Sequence, residues 1–333
     1  MRRNISKVIC ILFLEALIFP VGILTAAPTK TLTTIYVDDD ATPPGTGTIS
    51  APYTKIQDAI DNATNADIIA VASGVYNEHV RINKVVTLNW HGSDINGTDT
   101  GLPIIDGNGV GVVVKIDSSG VGITRFVITN SGKTDLDAGL YVTEESVNVK
   151  IIENEIAYCS YGIWIKRSDP VDTNHEIRGN KVSNMQRQGI LISYSDANSI
   201  FDNIVANCAS DGIYLFDCYK NRISGNILRN NTDGLVIDVG VDNDVEQNTC
   251  ENNSQYGFIV VNTQKTVIKN NNFIRNKAGQ ALWINCFADK WYHNYWGIPK
   301  LGFKIVIGIL RGADMSVPMF KLEFNPSPTL NPM

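Results

Sequence analysis

Between residues 139 and 284 apolar and polar positions alternate in short bursts, each opened by glycine and closed by Asn, Asp or Ser. The phrase Gly-apolar-x-apolar starts at Gly139, Gly162, Gly189, Gly212, Gly234 and Gly257, with a blurred copy at Gly279, so the steps are 23, 27, 23, 22, 23 and 22 residues. A second phrase, Asn before a mostly apolar stretch, keeps the same beat at Asn154, Asn180, Asn203, Asn226, Asn248 and Asn272. The alternation within each unit predicts two or three short strands joined by tight turns, and no unit carries a helical period. A repeat of this length made of strands alone predicts an all-β, right-handed parallel β-helix, a solenoid of 22–23-residue coils stacked at the inter-strand spacing of about 4.8 Å. The Leu-x-x-Leu-x-Leu phrase of leucine-rich repeats is absent.

Stacking gives the asparagines a task. Residues at one register sit above one another, so an inward amide donates to one coil and accepts from the next, satisfying polar groups that water cannot reach. A second such column is expected at Asn198, Asn221 and Asn243, with His175 in the same register one coil earlier, which makes His175 a structural residue. The open ends of a solenoid need covers. Within 53–63, Ile56, Ala59, Ile60 and Ala63 stand at helical spacing and predict a capping helix. Residues 291–333, dense in Trp, Tyr and Ile, are expected to pack on the last coils as a C-terminal cap and tail.

Composition fits one elongated domain over 28–290, with 19% charged and 44% hydrophobic residues. Residues 1–27 read as a signal peptide or N-terminal anchor: Arg2, Arg3 and Lys7 precede the apolar run Val8 to Leu24, and Thr25-Ala26-Ala27 offers a cleavage site. Glu15 and Pro20 inside the run count against a stable spanning helix, so a membrane enters only through an uncleaved segment. The expected location is extracellular or at the cell surface. Cleavage removes three basic charges and one acidic, taking the net charge from −6 to −8, which argues against a nucleic-acid partner.

Five cysteines then remain. Cys159 and Cys208 share a register two coils apart, with Met185 between them, and Cys218 and Cys286 lie three coils apart. Such gaps exceed a disulfide's reach, so free thiols filling the core are expected, and no zinc spacing occurs. Sequons at Asn62, Asn96, Asn230 and Asn252 are candidate glycan acceptors.

The opening "IYVDDDATPPG", "YTKIQDAIDNA", "DIIAVASGVYNEHVRINKVVTLNWHG" and "IIDGNG", followed by the Asn/Gly repeats and "NYWG", resembles the right-handed β-helix surface proteins of archaea and bacteria. These are grouped with NosD-like periplasmic proteins and the pectin-lyase-like superfamily. The resemblance covers residues 35 to about 298. It implies the fold; for function it implies only a range, since that fold hosts polysaccharide lyases, hydrolases, esterases, epimerases, adhesins and structural proteins.

Candidate chemistry is sparse. The acid phrases of the hydrolases of this fold are missing, and Lys166, Arg167, Asp169, Tyr161-Gly162 and Asp169-Pro170 match only fragments of lyase or epimerase motifs. Asp211 and Asp233 fall at one corner on successive coils, where paired carboxylates can raise a pKa for acid/base work; equally, Asp before Gly is a turn residue, and the same register holds Ala138, Tyr161, Gln188 and Tyr256. A stripe facing outward after each glycine, with Tyr141, Trp164, Tyr214 and Phe216, offers rings that stack on sugars, unless a tail with Phe303, Ile305, Ile307 and Ile309 folds back over it. The four dispersed histidines and five methionines make no copper site, Asp38-Asp39-Asp40 reads as the lead-in to the first coil, and no metal or cofactor is expected. The expected function is an exported binding or scaffold module with a glycan ligand. One alternative is a polysaccharide-active enzyme, a lyase, hydrolase or epimerase using Asp211, Asp233 and Lys166; another is a NosD-like accessory protein for metalloenzyme assembly.

Overall fold

Every coil lays its strands onto those of the coil before. The computed structural model describes residues 32–297 and the strand backbones Phe303–Arg311 and Ser316–Phe324. Three sheets run along the stack, two of eleven strands and one of nine. The first begins at Thr34–Val37 and reaches Lys290–Tyr292; the second begins at Val80–Ile82; the third runs from Val75–Tyr76 to Asn272–Ile274. All pairings within the coils are parallel and in register: Ile163 pairs with Ile190, Ile190 with Ile213, and Ile213 with Leu235. These inward positions are fully buried, as are Ile177, Ile200, Ile223 and Ile268 on the first sheet. The predicted right-handed parallel β-helix is therefore the observed architecture.

The glycine at the head of each second-sheet strand marks a close approach. A Cβ on Gly162 would lie 2.4 Å from the carbonyl oxygen of Gly189, and one on Gly234 2.4 Å from that of Gly257. The next coil leaves no room for a side chain, which is why the repeat opens on glycine. Asn and Asp recur at the corners for a different reason. Asn184, Asn207, Asn230 and Asn252 each hold a left-handed φ between 55° and 61°, a conformation their short polar side chains tolerate.

Amide columns occupy the turns. Asn203 Oδ1 accepts from the backbone N–H of Asn180 at 2.9 Å and its Nδ2 at 3.0 Å, while Asn203 Nδ2 donates to Ile177 O at 2.9 Å and to Asn226 Oδ1 at 2.9 Å. The pattern repeats from Asn154 to Asn248 and on to Asn294. One assignment is corrected. The rung after Asn248 is Asn271, whose Oδ1 accepts from Asn248 N–H at 2.9 Å; Asn272 belongs to the following strand and donates to Thr249 Oγ1. The second column is as expected, with Asn198, Asn221 and Asn243 bonded in series and His175 Nδ1 accepting from Val149 N–H at 3.1 Å. A third column was not foreseen: Asn231, Asn253 and Asn276 continue the register of Cys159, Met185 and Cys208.

At the start of the stack, helix Ile56–Asn62 buries Ile56, Ala59 and Ile60 completely, and the Glu78 carboxylate accepts from the N–H groups of Ile56 and Gln57 at 2.8 and 3.0 Å. At the far end, stacked Phe258, Phe273 and Trp296 fill the core. Strand Phe303–Arg311 pairs in parallel with Gly279–Ile284, and Ser316–Phe324 returns antiparallel. It lengthens the second sheet, so this strand does not lie over that sheet's outward face. Residues 1–27 fall outside the described residues, as do 298–302, 312–315 and 325–333. Among the described residues, no helix is long and apolar enough to cross a membrane. Cys159, Cys208, Cys218, Cys250 and Cys286 are free thiols, and burial pushes the pKa of Cys159 up to about 11.

Two outcomes follow from the columns. Asn203→Ala takes the acceptor from the buried Asn180 N–H and the side-chain donor from Ile177 O, so urea unfolding should register a loss of about 2 kcal/mol or more, at about 1–3 kcal/mol per orphaned group; Asn271→Ala should cost more than Asn272→Ala. His175 is the second test. Burial, aided by the Arg167 charge, lowers its pKa from 6.5 to about 4. The unfolded chain therefore binds the extra proton, and stability should fall as pH drops from 6.5 toward 4, by up to about 3 kcal/mol, with no such slope above 6.5. His175→Asn should remove that contribution and extend the amide column; a difference in stability between wild type and His175→Asn that stays constant across this window would contradict the assignment.

Candidate functional site

The outward face of the second sheet carries aromatic and charged side chains in register. Alternation puts every second residue outside, and the register stacks them into two rows. One carries Arg81, Lys115, Tyr141, Trp164, Leu191, Tyr214, Val236 and Ile259. The other carries Lys166, Ser193, Phe216, Asp238 and Val261.

Toward the first coils this face is cut by a cleft of about 570 Å³ lined by Arg81, Lys115, Asp117, Tyr141, Thr143, Glu144, Glu145, Lys166 and Ser168. The coil from Gly162 to Gly189 takes 27 residues where the other glycine-headed coils take 22 or 23, and the surplus leaves the sheet between Lys166 and Val171. That bulge forms one wall. It is tied to the preceding coil, Arg167 donating to Glu144 O and Ser168 Oγ to a Glu144 carboxylate oxygen. Asp117 accepts from Arg81 and lies 3.3 Å from Lys115 Nζ. Burial pushes its carboxyl upward, but the bonds from Arg81 and Lys115 outweigh that and hold its pKa below the ordinary value. It is ionised at neutral pH.

The aromatic candidates divide. Tyr141, Tyr214 and Phe216 are half-buried and reach the surface. Trp164 does not: it is only 8% exposed, with Tyr141 and Tyr161 rings 4.9 and 5.0 Å away and the Lys166 ammonium 5.6 Å above it. The expected exposed platform is corrected to a floor beneath Tyr141 and Lys166. Its indole N–H is buried with no acceptor. Farther along, Phe216 packs edge-on to Tyr194, and Tyr214 OH donates to Asp238 at 3.4 Å.

Asp211 and Asp233 do stand on successive coils, the Asp233 carbonyl accepting from Gly212 N–H at 2.8 Å. Gln188 Nε2 and Ser210 Oγ donate to Asp211 Oδ2, and Tyr256 N–H donates to Asp233 Oδ1 at 2.7 Å. Both pKa values are raised, chiefly by burial; the Tyr256 bond opposes the rise at Asp233 and the Asp211 charge adds to it. This pair sits at the corner before the strand of Tyr214, apart from the residues lining the cleft.

The consecutive acids near the start also separate. Asp39 accepts from Val75 N–H at 3.0 Å, while Asp38 and Asp40 meet Asp94, their oxygens within 4.8 Å of one another. The loop carrying Asp94 was not linked to this run in the sequence. Such a trio could hold a divalent cation, although Asp38 is already bonded by Asp40 N–H and by Asn96. Of the sequons, Asn62 and Asn96 spend their amides on Asp58 O and Asp38, while Asn230 and Asn252 are exposed in adjacent left-handed turns.

Comparison with known proteins gives no match to a curated sequence. Among solved structures, XylC in complex with xylose aligns over 83% of this chain and 71% of its own, at 11% identity and a TM-score of 0.58. The mannuronan C-5 epimerase AlgE4 A-module of Azotobacter vinelandii aligns over 79% and 89%, at 14% identity and 0.52. The GH136 lacto-N-biosidase of Eubacterium ramulus aligns over 80% and 67%, at 12% identity and 0.51. Likeness at this identity speaks for the fold alone. The family described as "Right handed beta helix region" matches residues 108–274, half of the chain, and with the stacked parallel sheets above this makes the chain a member of the right-handed β-helix family.

Proposed function

We propose that this is an exported carbohydrate-recognising β-helix protein whose ligand lies on the outward face of the second sheet. The observation that carries the reading is the cleft itself: a walled depression on a rigid parallel sheet, with Tyr141 on its floor and both carboxylates and ammonium groups on its sides. Sugars ask for that combination. Their apolar ring faces stack on aromatic side chains, and their hydroxyls pair with charged groups. The neighbours support the same direction, since two of them are named as enzymes acting on carbohydrates and a third was solved with xylose.

A second reading, polysaccharide processing, is favoured by the Asp211–Asp233 pair. Two half-sheltered carboxylates with raised pKa values are the equipment of general acid/base catalysis. Their place beside Tyr214 rather than in the cleft weighs for binding as the primary role.

Retention of the purified protein on a panel of neutral and acidic polysaccharides, with the soluble phase assayed for new reducing or unsaturated ends, separates the two. Retention without new ends is expected. Tyr141→Ala should weaken it about tenfold, some 1.4 kcal/mol, while Phe201→Ala on the first sheet should not. New ends that vanish in Asp211→Asn would establish the enzyme instead.

A further inference from the structure

We infer that the cleft selects a neutral glycan and disfavours a polyuronate. The inference rests on carbohydrate recognition at this face and adds the chemical class of the ligand.

Charge bookkeeping along the face decides it. The lining holds three cations, Arg81, Lys115 and Lys166, against three acids, Asp117, Glu144 and Glu145, so it is neutral. Two of the cations are already committed, because Arg81 and Lys115 both pair with an ionised Asp117. Of the three lining cations, Lys166 is the one whose exposed ammonium has no carboxylate partner among the described residues, and it lies over the Trp164 ring. A single uronate could pair with it. A polymer carrying one carboxylate per sugar must place its further charges elsewhere.

Elsewhere offers them little, since Arg187, over the Tyr161 ring, is already paired with Asp135. Beyond Lys166 the two outward rows contain no basic residue, and their charged member is Asp238. Asp211 and Asp233 stand on successive coils at the corner and add no cation there. For a neutral chain the same surface is favourable. Tyr141, Tyr214 and Phe216 present ring surface, and the carboxylates of the cleft accept hydroxyl hydrogens.

The test compares matched oligosaccharides that differ only at C6, such as β-1,4-mannohexaose with β-1,4-mannuronohexaose, and the corresponding galactan/galacturonan and glucan/glucuronan pairs, by calorimetry at about 0.15 M salt. The neutral member of at least one pair should bind at least tenfold more tightly than its uronate, with little salt dependence. Asp238→Lys, which places a cation on the acidic stretch, should narrow that ratio by raising uronate affinity. Tighter binding of the uronates, weakening with salt, would overturn the inference and leave carbohydrate recognition standing. No binding by any member of the three pairs would remove both.

Discussion

The fold depends on hydrogen bonding across rungs at places where no strand ladder can do it. Corners of a stacked coil bury backbone N–H and C=O groups that are out of line with the sheets, and an unpaired buried group costs about as much as a lost hydrogen bond. The amide column meets that demand because one Asn side chain presents both a donor pair and an acceptor. Asn226 Oδ1 accepts from Asn203 while its Nδ2 reaches Ile200 O and the next rung. Each coil thus fixes the height and rotation of its neighbour. Outward residues inherit that register without contributing to it.

That division of labour explains how a surface can specialise on an invariant interior. Inward columns are held to apolar side chains, thiols and the amides, and glycine is demanded where the next coil's carbonyl approaches within 2.4 Å of a would-be Cβ. Outward positions carry no such demand. The second sheet uses the freedom for a charged cleft at one end and an aromatic to aliphatic surface along the rest, whereas the first sheet lays down ion pairs such as Arg222–Glu246 and Lys269–Glu246. Exposed pairs of this kind contribute little stability. Their effect is to keep that sheet's face polar.

The interior was largely legible from the chain because a repeated constraint writes a repeated residue. It misled where neighbours compete: Asn270, Asn271 and Asn272 run together, and although a beat of 22 or 23 counted from Asn248 stops short of Asn272, only the hydrogen bond from Asn248 fixes Asn271 as the rung. The third amide column escaped notice because its earlier rungs are Cys159, Met185 and Cys208, which satisfy volume rather than polarity. The site was hardly legible. Arg81, Lys115 and Asp117 come from coils before the glycine beat is audible, and although the 27-residue step marks an insertion, it does not say that Ser168 will reach back to Glu144 and wall a cleft. Trp164 was misjudged for a related reason: alternation says which side of the sheet a ring occupies, but not that Tyr141 and Tyr161 will lean over it.

The bulge after Lys166 is where scaffold and site meet. A coil of 27 residues followed by coils of 22 and 23 must expel its surplus without disturbing the columns that continue past it, and here the pairing resumes at Val171 with Ser195 and Asp172 with Asp196. Thr173 and His175 then rejoin the amide column, Thr173 Oγ1 donating to Asn198 Oδ1 at 2.7 Å and His175 N–H to the same oxygen at 2.9 Å. Restoring the register this quickly confines the insertion to one edge of the outward face. The extra residues can therefore change in length or composition, and with them the wall of the cleft, while every rung beneath keeps its partners.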